Sequence, residues 1–192
     1  MIKYPNGQKV KVSETKSPAV NYKNRGLLFE EEINLANEFY RNANRAIIYK
    51  KPTPLKIVKT KINEKNKYCI SEAYFEKPST TDYNGIYLGK YIDFEAKETK
   101  NKTSFPLSNI HAHQVEHLSK IIEHGGIGFI IVNFKMLNEI YILDGKIVKR
   151  FMDGETSSIP LSVFKSEGEL VPQGYILTVD YLKAVDKYYF DK

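Results

Sequence analysis

The sequence predicts an α/β fold in which helices pack against a mixed β-sheet. Apolar residues recur at three- and four-residue intervals across residues 27–43, a spacing typical of a helix with one buried face. Residues 91–97 alternate between apolar and polar, as in a half-buried strand, and residues 127–134 are almost continuously apolar, as in a strand buried on both faces. The order of these elements indicates a domain with helices on a strand-rich sheet.

Two segments stand apart from that core. Residues 1–24 are polar and show no apolar periodicity, which predicts a flexible N-terminal arm. Two β-branched segments joined by a polar turn predict a long, basic hairpin at about residues 55–76, after a short strand at residues 46–49. We therefore expect residues 25–192 to form a single domain that carries this hairpin as an insertion.

Turn and cap signals divide the middle of the chain. The Asn-Gly dipeptide at residues 84–85 predicts a tight turn between two strands. The helix that follows the alternating strand is predicted to be capped near Ser108 or Asn109, and it should end at the paired glycines of residues 125–126.

The last third of the chain contains shorter elements. Residues 139–143 predict a strand that turns at the Asp-Gly pair of residues 144–145. Short helices are predicted at residues 160–165 and at residues 181–189, and they complete the α/β pattern.

Composition excludes several classes of protein. The chain has 192 residues, and no run approaches the ~18 apolar residues that a membrane span needs. The N-terminus lacks the apolar stretch of a signal peptide, and the one cysteine, Cys69, cannot form an internal disulfide, so we expect a cytoplasmic protein. The formal net charge of +6 and the pI of about 9.1 favour a polyanionic partner.

The most informative motif pairs an acidic residue with a Glu-x-Lys triplet. Twelve residues separate Asp82 from Glu95-Ala96-Lys97. On a strand, Glu95 and Lys97 project from the same face, about 6–7 Å apart. Carboxylates at Asp82 and Glu95 can bind a hard cation such as Mg²⁺ or Mn²⁺, with the Ala96 carbonyl as a third oxygen. Because phosphodiester hydrolysis needs such a cation and a neighbouring ammonium group, we predict a nuclease with Asp82, Glu95 and Lys97 as its catalytic residues.

The same residues admit other assignments. Asp82 and Glu95 can be surface carboxylates, with Glu95 and Lys97 forming an exposed ion pair worth at most ~1 kcal/mol. In a nuclease, Lys97 either activates the water or stabilises the developing charge, and the sequence does not choose between these roles. Thr80 lies two residues before Asp82 and within reach of a metal there. Glu30 lies just off the buried stripe of the first helix, and it either reaches the site or is a solvated acid.

Lysines concentrate around the predicted hairpin and beside the acidic motif. Most such runs are simply solvated, but near a phosphodiester-cleaving site they are better interpreted as phosphate contacts. The lysines concerned are Lys50, Lys51, Lys56, Lys59, Lys61, Lys65 and Lys67 in the first group, and Lys97, Lys100 and Lys102 in the second.

Four longer blocks of sequence point to a family. They read YKKPTP (49–54), EAYF (72–75), STTDYNG (79–85) and YIDFEAKETKNKTSFPL (91–107). These blocks strongly resemble the RecU Holliday-junction resolvases of Gram-positive bacteria, and the resemblance covers nearly the whole chain from Asn21 onward. Blocks of this length are very specific to one family.

The resemblance implies a homodimer with a restriction-endonuclease-like fold. The hairpin at residues 55–76 would be a stalk over which a four-way DNA junction drapes, and each subunit would nick one of two opposed strands. The resemblance also implies that the protein engages the recombinase and the branch-migration helicase during recombination and repair, in association with the nucleoid.

Site residues follow from the resemblance as well. It implies a magnesium cluster at Thr80, Asp82, Glu95 and Gln114, with Lys97 as the water-activating or transition-state residue and Glu30 near the site. DNA contacts are expected from Arg25, Lys56, Lys59, Lys61, Phe75 and Lys100. The sequence departs from the wider nuclease superfamily at Thr81, where proline is usual, and its arm lacks a clear basic block.

Two competing hypotheses follow from the same residues. A non-catalytic junction-binding module that modulates the recombinase would use the basic hairpin alone. A restriction-type nuclease would cut linear duplex DNA at a fixed sequence.

Overall fold

A six-stranded mixed sheet with helices on both faces organises the protein, in a computed structural model that describes residues 25–75 and 80–191. The predicted α/β class is confirmed, whereas the predicted arm at residues 1–24 lies outside the described residues. The helices are α1 (Arg25–Asn42), α2 (Ala112–Glu123), α3 (Gly145–Met152), α4 (Leu161–Glu167) and α5 (Tyr181–Val185). The strands are β1 (Ile47–Lys50), β2 (Leu55–Ile62), β3 (Tyr68–Phe75), β4 (Tyr83–Tyr87), β5 (Lys90–Thr99), β6 (Ser104–Pro106), β7 (Ile127–Phe134), β8 (Glu139–Asp144), β9 (Ser158–Pro160) and β10 (Glu169–Leu170). In these described ranges, no helix is both long enough and apolar enough to cross a bilayer.

The main sheet is antiparallel except at its centre. Its strand order is β1-β4-β5-β7-β8-β10, and β5 runs parallel to β7, with Glu95 opposite Ile130. Parallel neighbours need a crossover connection, and α2 supplies it by returning over one face of the sheet. Because β5 pairs with β4 on one side and with β7 on the other, its side chains are held in a fixed register.

Two apolar clusters cover the opposite faces of the main sheet. The first packs α1 and α5 against one face, where Ile33 and Phe94 are fully buried. The second packs α2, α3 and α4 against the other face, where Leu118 and Val132 are fully buried. Since side chains alternate along a strand, the residues on either side of Phe94 point toward α2. The core therefore forces the polar face of β5 under a helix.

The tight turn predicted at Asn84-Gly85 is wrong, because both residues lie inside β4. Gly85 pairs with Ile48 of β1, and a Cβ atom at Gly85 would lie 2.0 Å from the carbonyl oxygen of Ile47. Glycine is therefore required here by the close approach of the two strands. The real turn is Leu88-Gly89, whose φ values of 47° and 75° suit a two-residue hairpin of type I′.

Helix α2 begins later than predicted. It starts at Ala112 and not at residues 108–109, because residues 107–109 form a 3-10 turn first. His111 is the N-cap residue. Its backbone N–H donates a hydrogen bond to the Oε1 atom of Gln114 at 3.0 Å. The start of α2 is thus fixed by a capping side chain that the sequence pattern did not single out.

The strand predicted at residues 139–143 is confirmed as β8, but it leads through Asp144 into helix α3 and not into the turn predicted at Asp144-Gly145. The Oδ1 atom of Asp144 accepts a hydrogen bond from the backbone N–H of Lys146 at 2.8 Å, so Asp144 caps α3. The short strands β6, β9 and β10 were not predicted either. Their pairing depends on distant partners, since β6 pairs with β9 and β10 with β8.

The two predicted hairpin segments are present as β2 and β3, which pair with each other as a separate two-stranded sheet. Every residue of β2 is exposed. In the turn, the Oδ1 atom of Asn63 accepts hydrogen bonds from the backbone N–H groups of Lys65 and Lys67, at 3.0 and 2.9 Å, and Asn66 has a positive φ of 57°. The hairpin is therefore closed by local turn chemistry.

Replacing Gly85 with alanine should destabilise the fold. The added Cβ would collide with the backbone of β1, and forced displacement of packed atoms typically costs about 1–3 kcal/mol of unfolding free energy. Urea unfolding of both proteins measures this change. Gly154→Ala is the matched control, because its Cβ would meet atoms no closer than 3.5 Å. Equal unfolding midpoints for the two variants would contradict the prediction.

Candidate active site

Asp82 lies directly before β4, and its side chain contacts the middle of β5. Because Tyr83 pairs with Phe94, the register places Asp82 beside Glu95. The Oδ2 atom of Asp82 accepts a hydrogen bond from the backbone N–H of Ala96 at 3.0 Å. The spacing that the sequence showed between Asp82 and the Glu-x-Lys triplet therefore corresponds to a real juxtaposition in the fold.

The carboxylate of Glu95 is almost completely buried under α2, with 1% of its surface exposed. One oxygen, Oε1, accepts from the Gln114 amide at 2.7 Å and lies 2.6 Å from the Lys97 ammonium nitrogen. The other oxygen, Oε2, is buried and has no hydrogen-bond partner among the residues described. An unpaired buried carboxylate oxygen is costly, so this atom is suited to a partner from outside the chain.

The electrostatics of the site centre on the same residue. Burial, followed by repulsion from Asp82, raises the pKa of Glu95 from 4.5 to about 7, and the contacts with Lys97 and Gln114 oppose this rise. These two contacts therefore do not fully offset the cost of burying the Glu95 charge next to Asp82. A positive charge bound between the two carboxylates would do so.

These residues fit a divalent cation. Mg²⁺ binds oxygen ligands and keeps several waters, so two carboxylates and a neutral oxygen are an adequate donor set. Across residues 25–75 and 80–191, no group of three or more His, Cys, Asp and Glu side chains is placed to hold a metal. A cation at Asp82 and Glu95 would thus take its other ligands from neutral groups, water or substrate.

The two neutral ligands implied by the resemblance differ in how well they suit that role. Gln114 contacts Glu95 but presents its amide nitrogen, while its oxygen accepts from His111. Ligation through the oxygen would require the amide to rotate. Thr80 is exposed, and its hydroxyl accepts a hydrogen bond from the Lys51 ammonium group at 3.1 Å. Both assignments stay predictions.

The predicted DNA-contacting residues are more dispersed. Lys56, Lys59 and Lys61 are exposed on β2, and Lys59 pairs with Glu72 at 2.8 Å. Lys100 is exposed just after β5. The side chains of Arg25 and Phe75 lie outside the described part of the structure.

Glu30 is half-buried and forms an ion pair with Lys50. Its backbone carbonyl also accepts a hydrogen bond from the Tyr83 hydroxyl at 3.2 Å. Glu30 therefore supports the strand that begins next to Asp82, and a direct role for its carboxylate in the site stays a prediction.

A second buried carboxylate, Asp93, was given no role by the sequence patterns. It is fully buried on the same face of β5 as Glu95, and its partners come from four separate positions. The alternation of β5 already pointed Asp93 toward this face, but three of its four partners lie 12 or more residues away and leave no local signal. The partners are Lys51, Thr81, Tyr91 and His117.

Comparison with known proteins identifies the family. The sequence profile described as "RecU: Recombination protein U" matches residues 24–187. The chain belongs to the RecU family. The Holliday junction resolvase RecU of Oceanobacillus iheyensis is 50% identical in an alignment of 196 positions, which covers 98% of this chain and 100% of that protein.

Other RecU proteins are similar over the same extent. The Holliday junction resolvase RecU of Geobacillus kaustophilus is 46% identical, over 100% of this chain and 99% of that protein. The protein of the same name from Bacillus cytotoxicus is 48% identical, over 98% of each chain. The predicted membership of the RecU family is confirmed, and the site described above lies within the matched residues.

The raised pKa of Glu95 gives the metal-free protein a specific pH dependence. Between pH 4.5 and about 7, the folded state binds a proton that the unfolded state has released. The free energy of unfolding should therefore fall as the pH rises through this window, by up to about 3 kcal/mol. Glu95→Gln should abolish this part of the slope, as measured by urea unfolding in EDTA.

The control for this prediction is Glu155→Gln, which removes an exposed carboxyl group. It should keep the slope of the wild-type protein. Parallel pH dependence in the wild type and in Glu95→Gln would show that Glu95 is not the titrating group.

Proposed function

We propose that this RecU-family chain is a Holliday-junction resolvase, a structure-specific endonuclease that makes paired nicks in four-way DNA junctions during recombination and repair. The observation that carries the proposal is the buried Glu95 carboxylate beside Asp82, with one oxygen that has no partner among the described residues. The name shared by its relatives, Holliday junction resolvase RecU, supports the choice of substrate.

Asp82 and Glu95 would hold the cation, with Thr80 and Gln114 as the neutral ligands that the family resemblance implies. When bound, Mg²⁺, or Mn²⁺ in its place, would lower the pKa of a water and neutralise charge on the scissile phosphate. The chain contributes the fixed geometry: β5 is paired on both sides, and the Ala96 N–H group holds the Asp82 carboxylate at 3.0 Å. The two carboxylates are thus in place before substrate arrives.

Lys97 would act on the phosphate side of the site. Its ammonium group contacts Glu95 at 2.6 Å, while 23% of the side chain stays exposed. The exposed part gives Lys97 access to a substrate that binds over the carboxylates. There it would orient or deprotonate the attacking water, or stabilise the negative charge that develops on the phosphate.

The β2–β3 hairpin would bind the junction as the predicted stalk. Its first strand is exposed along its whole length and carries Lys56, Lys59 and Lys61. Lysines that contact DNA phosphates displace counterions from the DNA, and the release of these ions supplies affinity without sequence preference. Arg25, Phe75 and Lys100 would extend the contact surface toward the nuclease core.

The wider arrangement follows from the substrate. A junction is resolved by cutting two opposed strands, so we propose a homodimer with one site in each subunit and a restriction-endonuclease-like core in each. Such a protein would act at the nucleoid in the cytoplasm, together with the recombinase and the branch-migration helicase. Residues 1–24 would form a flexible arm, and residues 25–192 one nuclease domain.

A synthetic four-way junction with Mg²⁺ tests the catalytic assignment. The wild type should produce paired nicks, and Asp82→Asn or Lys97→Ala should lower the cleavage rate roughly 10²–10³-fold, because each removes a charge that acts on the transition state. Binding of the junction in EDTA should persist in both variants. Gel assays of cleavage and of binding measure the two properties separately.

Lys187→Ala is the matched control for Lys97→Ala. Lys187 also pairs with a glutamate at 2.6 Å, but it does so with Glu169 at the far edge of the sheet. This control should cleave as the wild type does. Tight binding without cleavage by the wild type would favour the non-catalytic junction-binding module, and cleavage of linear duplex at a fixed site would favour a restriction-type nuclease.

The role of the hairpin is tested by its lysines. Replacing Lys56, Lys59 and Lys61 together with alanine should weaken junction binding and reduce the salt dependence of log K, by roughly 0.9 for each phosphate that is no longer neutralised. Fluorescence anisotropy at several salt concentrations measures both effects.

An equal change of net charge elsewhere is the control. Lys165, Lys183 and Lys187 replaced together with alanine also remove three positive charges from exposed positions. If the salt dependence falls as much in this second triple variant as in the first, general charge and not the hairpin governs binding.

A further inference from the structure

The buried carboxylate of Asp93 lies next to the proposed site, but the proposed reaction does not use it. Asp93 is fully buried and projects from the same face of β5 as Glu95. It accepts hydrogen bonds from the Thr81 hydroxyl, from the Lys51 ammonium group at 2.8 Å and from the Tyr91 hydroxyl at 2.9 Å. His117 of α2 contacts the same carboxylate at 3.1 Å.

Lys51 joins this carboxylate to the loop that carries Asp82. Its ammonium group donates hydrogen bonds to the hydroxyls of Thr80 and Thr81 as well as to Asp93. Its backbone N–H donates to the carbonyl oxygen of Asp82 at 2.7 Å. One residue therefore contacts three consecutive residues, 80–82, through either its side chain or its main chain.

These contacts hold a segment that lies outside the strands. Residues 80–82 come before β4 begins, so their position depends on these contacts as well as on the register of β4 with β5. Thr81 is fully buried and lies between the cation-binding candidate Asp82 and the exposed Thr80. The hydrogen bond from its hydroxyl to Asp93 therefore constrains the residue directly before Asp82.

Stability alone does not explain why a charged pair is buried here. A buried ion pair is often no more stabilising than an apolar contact of similar volume, because both charges lose their hydration. The side chain of Lys51 is only 15% exposed, and that of Asp93 is not exposed at all. A pair with this cost, placed two residues from Glu95, is better explained by the geometry that it imposes.

Helix α2 ties the two carboxylates of β5 into one arrangement. Gln114 donates to Glu95, and His117, one helical turn later, contacts Asp93. The same helix thus contacts Glu95, a candidate cation ligand, and Asp93, the carboxylate that binds the loop of residues 80–82. A shift of the loop relative to Glu95 would have to break the hydrogen bonds of Thr81 with Asp93 and of Asp82 with Ala96.

We infer that Lys51, Thr81 and Asp93 form a positioning cluster that sets Asp82 against Glu95 for cation binding. The inference deepens the proposed function, on which it rests for the identity of the cation site. These three residues touch neither the cation nor the substrate; they act through Asp82. Outer groups of this kind typically change metal affinity roughly 10–100-fold when they are removed.

Mn²⁺ binding to the full-length, metal-free protein tests the inference without DNA. Thr81→Val keeps the shape of the side chain and removes its hydroxyl, and Lys51→Met removes the ammonium group while the backbone contact to Asp82 stays. Both variants should bind Mn²⁺ roughly 10–100-fold more weakly than the wild type in isothermal titration calorimetry. Thr81→Ser, which restores a hydroxyl, should recover most of the affinity.

Tyr40→Phe is the control for a general decrease in stability. It removes another buried hydroxyl–carboxylate contact, the 2.8 Å hydrogen bond from Tyr40 to Asp180, on the opposite face of the sheet. This variant should unfold more easily but bind Mn²⁺ as the wild type does. Circular dichroism confirms that each variant is folded at the temperature of the titration.

The outcomes separate the inference from the proposed function. Wild-type affinity in folded Thr81→Val and Lys51→Met, an equally weakened affinity in Tyr40→Phe, or no Mn²⁺ binding by the wild type would each overturn the positioning cluster. A wild type that binds Mn²⁺ but cleaves no junction contradicts the proposed function. Even if the wild type cleaves no junction, weaker Mn²⁺ binding by Thr81→Val and Lys51→Met than by the wild type would support the inference that the cluster positions Asp82.

Discussion

The structure depends on burying the negative charge of Glu95 at the centre of a sheet. The alternation of β5 places Phe94 in one apolar cluster and directs Glu95 into the face that α2 covers. A helix that covers such a face must supply polar partners as well as apolar ones. Helix α2 does so, because Gln114 meets the carboxylate while Val115 and Leu118 enter the apolar cluster.

The parallel pairing of β5 and β7 explains why a helix lies over the carboxylates at all. Parallel neighbours need a crossover, and the chain between these two strands forms β6, the 3-10 turn and α2. Gln114 then serves two purposes in the third helical position. Its oxygen accepts from the N-cap residue His111, and its nitrogen donates to Glu95, so the start of the helix and the geometry of the site are set by one side chain.

Local periodicity was sufficient to predict α1, β5 and β7, and the spacing between Asp82 and the Glu-x-Lys triplet predicted that Asp82 would lie near Glu95. The failures have a common physical cause. Gly85 was assigned to a turn, but a glycine is required at this position because β1 approaches closely, and that is a tertiary contact. The partners of Asp93 lie 42 residues away at Lys51 and 24 residues away at His117, so no pattern in the sequence links them. Gln114 came from family resemblance and not from chemistry.

The contacts of Lys51 also join the chain on either side of the β2–β3 hairpin. Lys51 lies four residues before the hairpin begins at Leu55, and residues 80–82, which it contacts, come after the hairpin ends at Phe75. Because the two ends are fastened to each other at this point, the length and sequence of the intervening hairpin are mechanically independent of where Asp82 sits. The hairpin, which would contact DNA, can thus change as a separate unit without altering the proposed cation site.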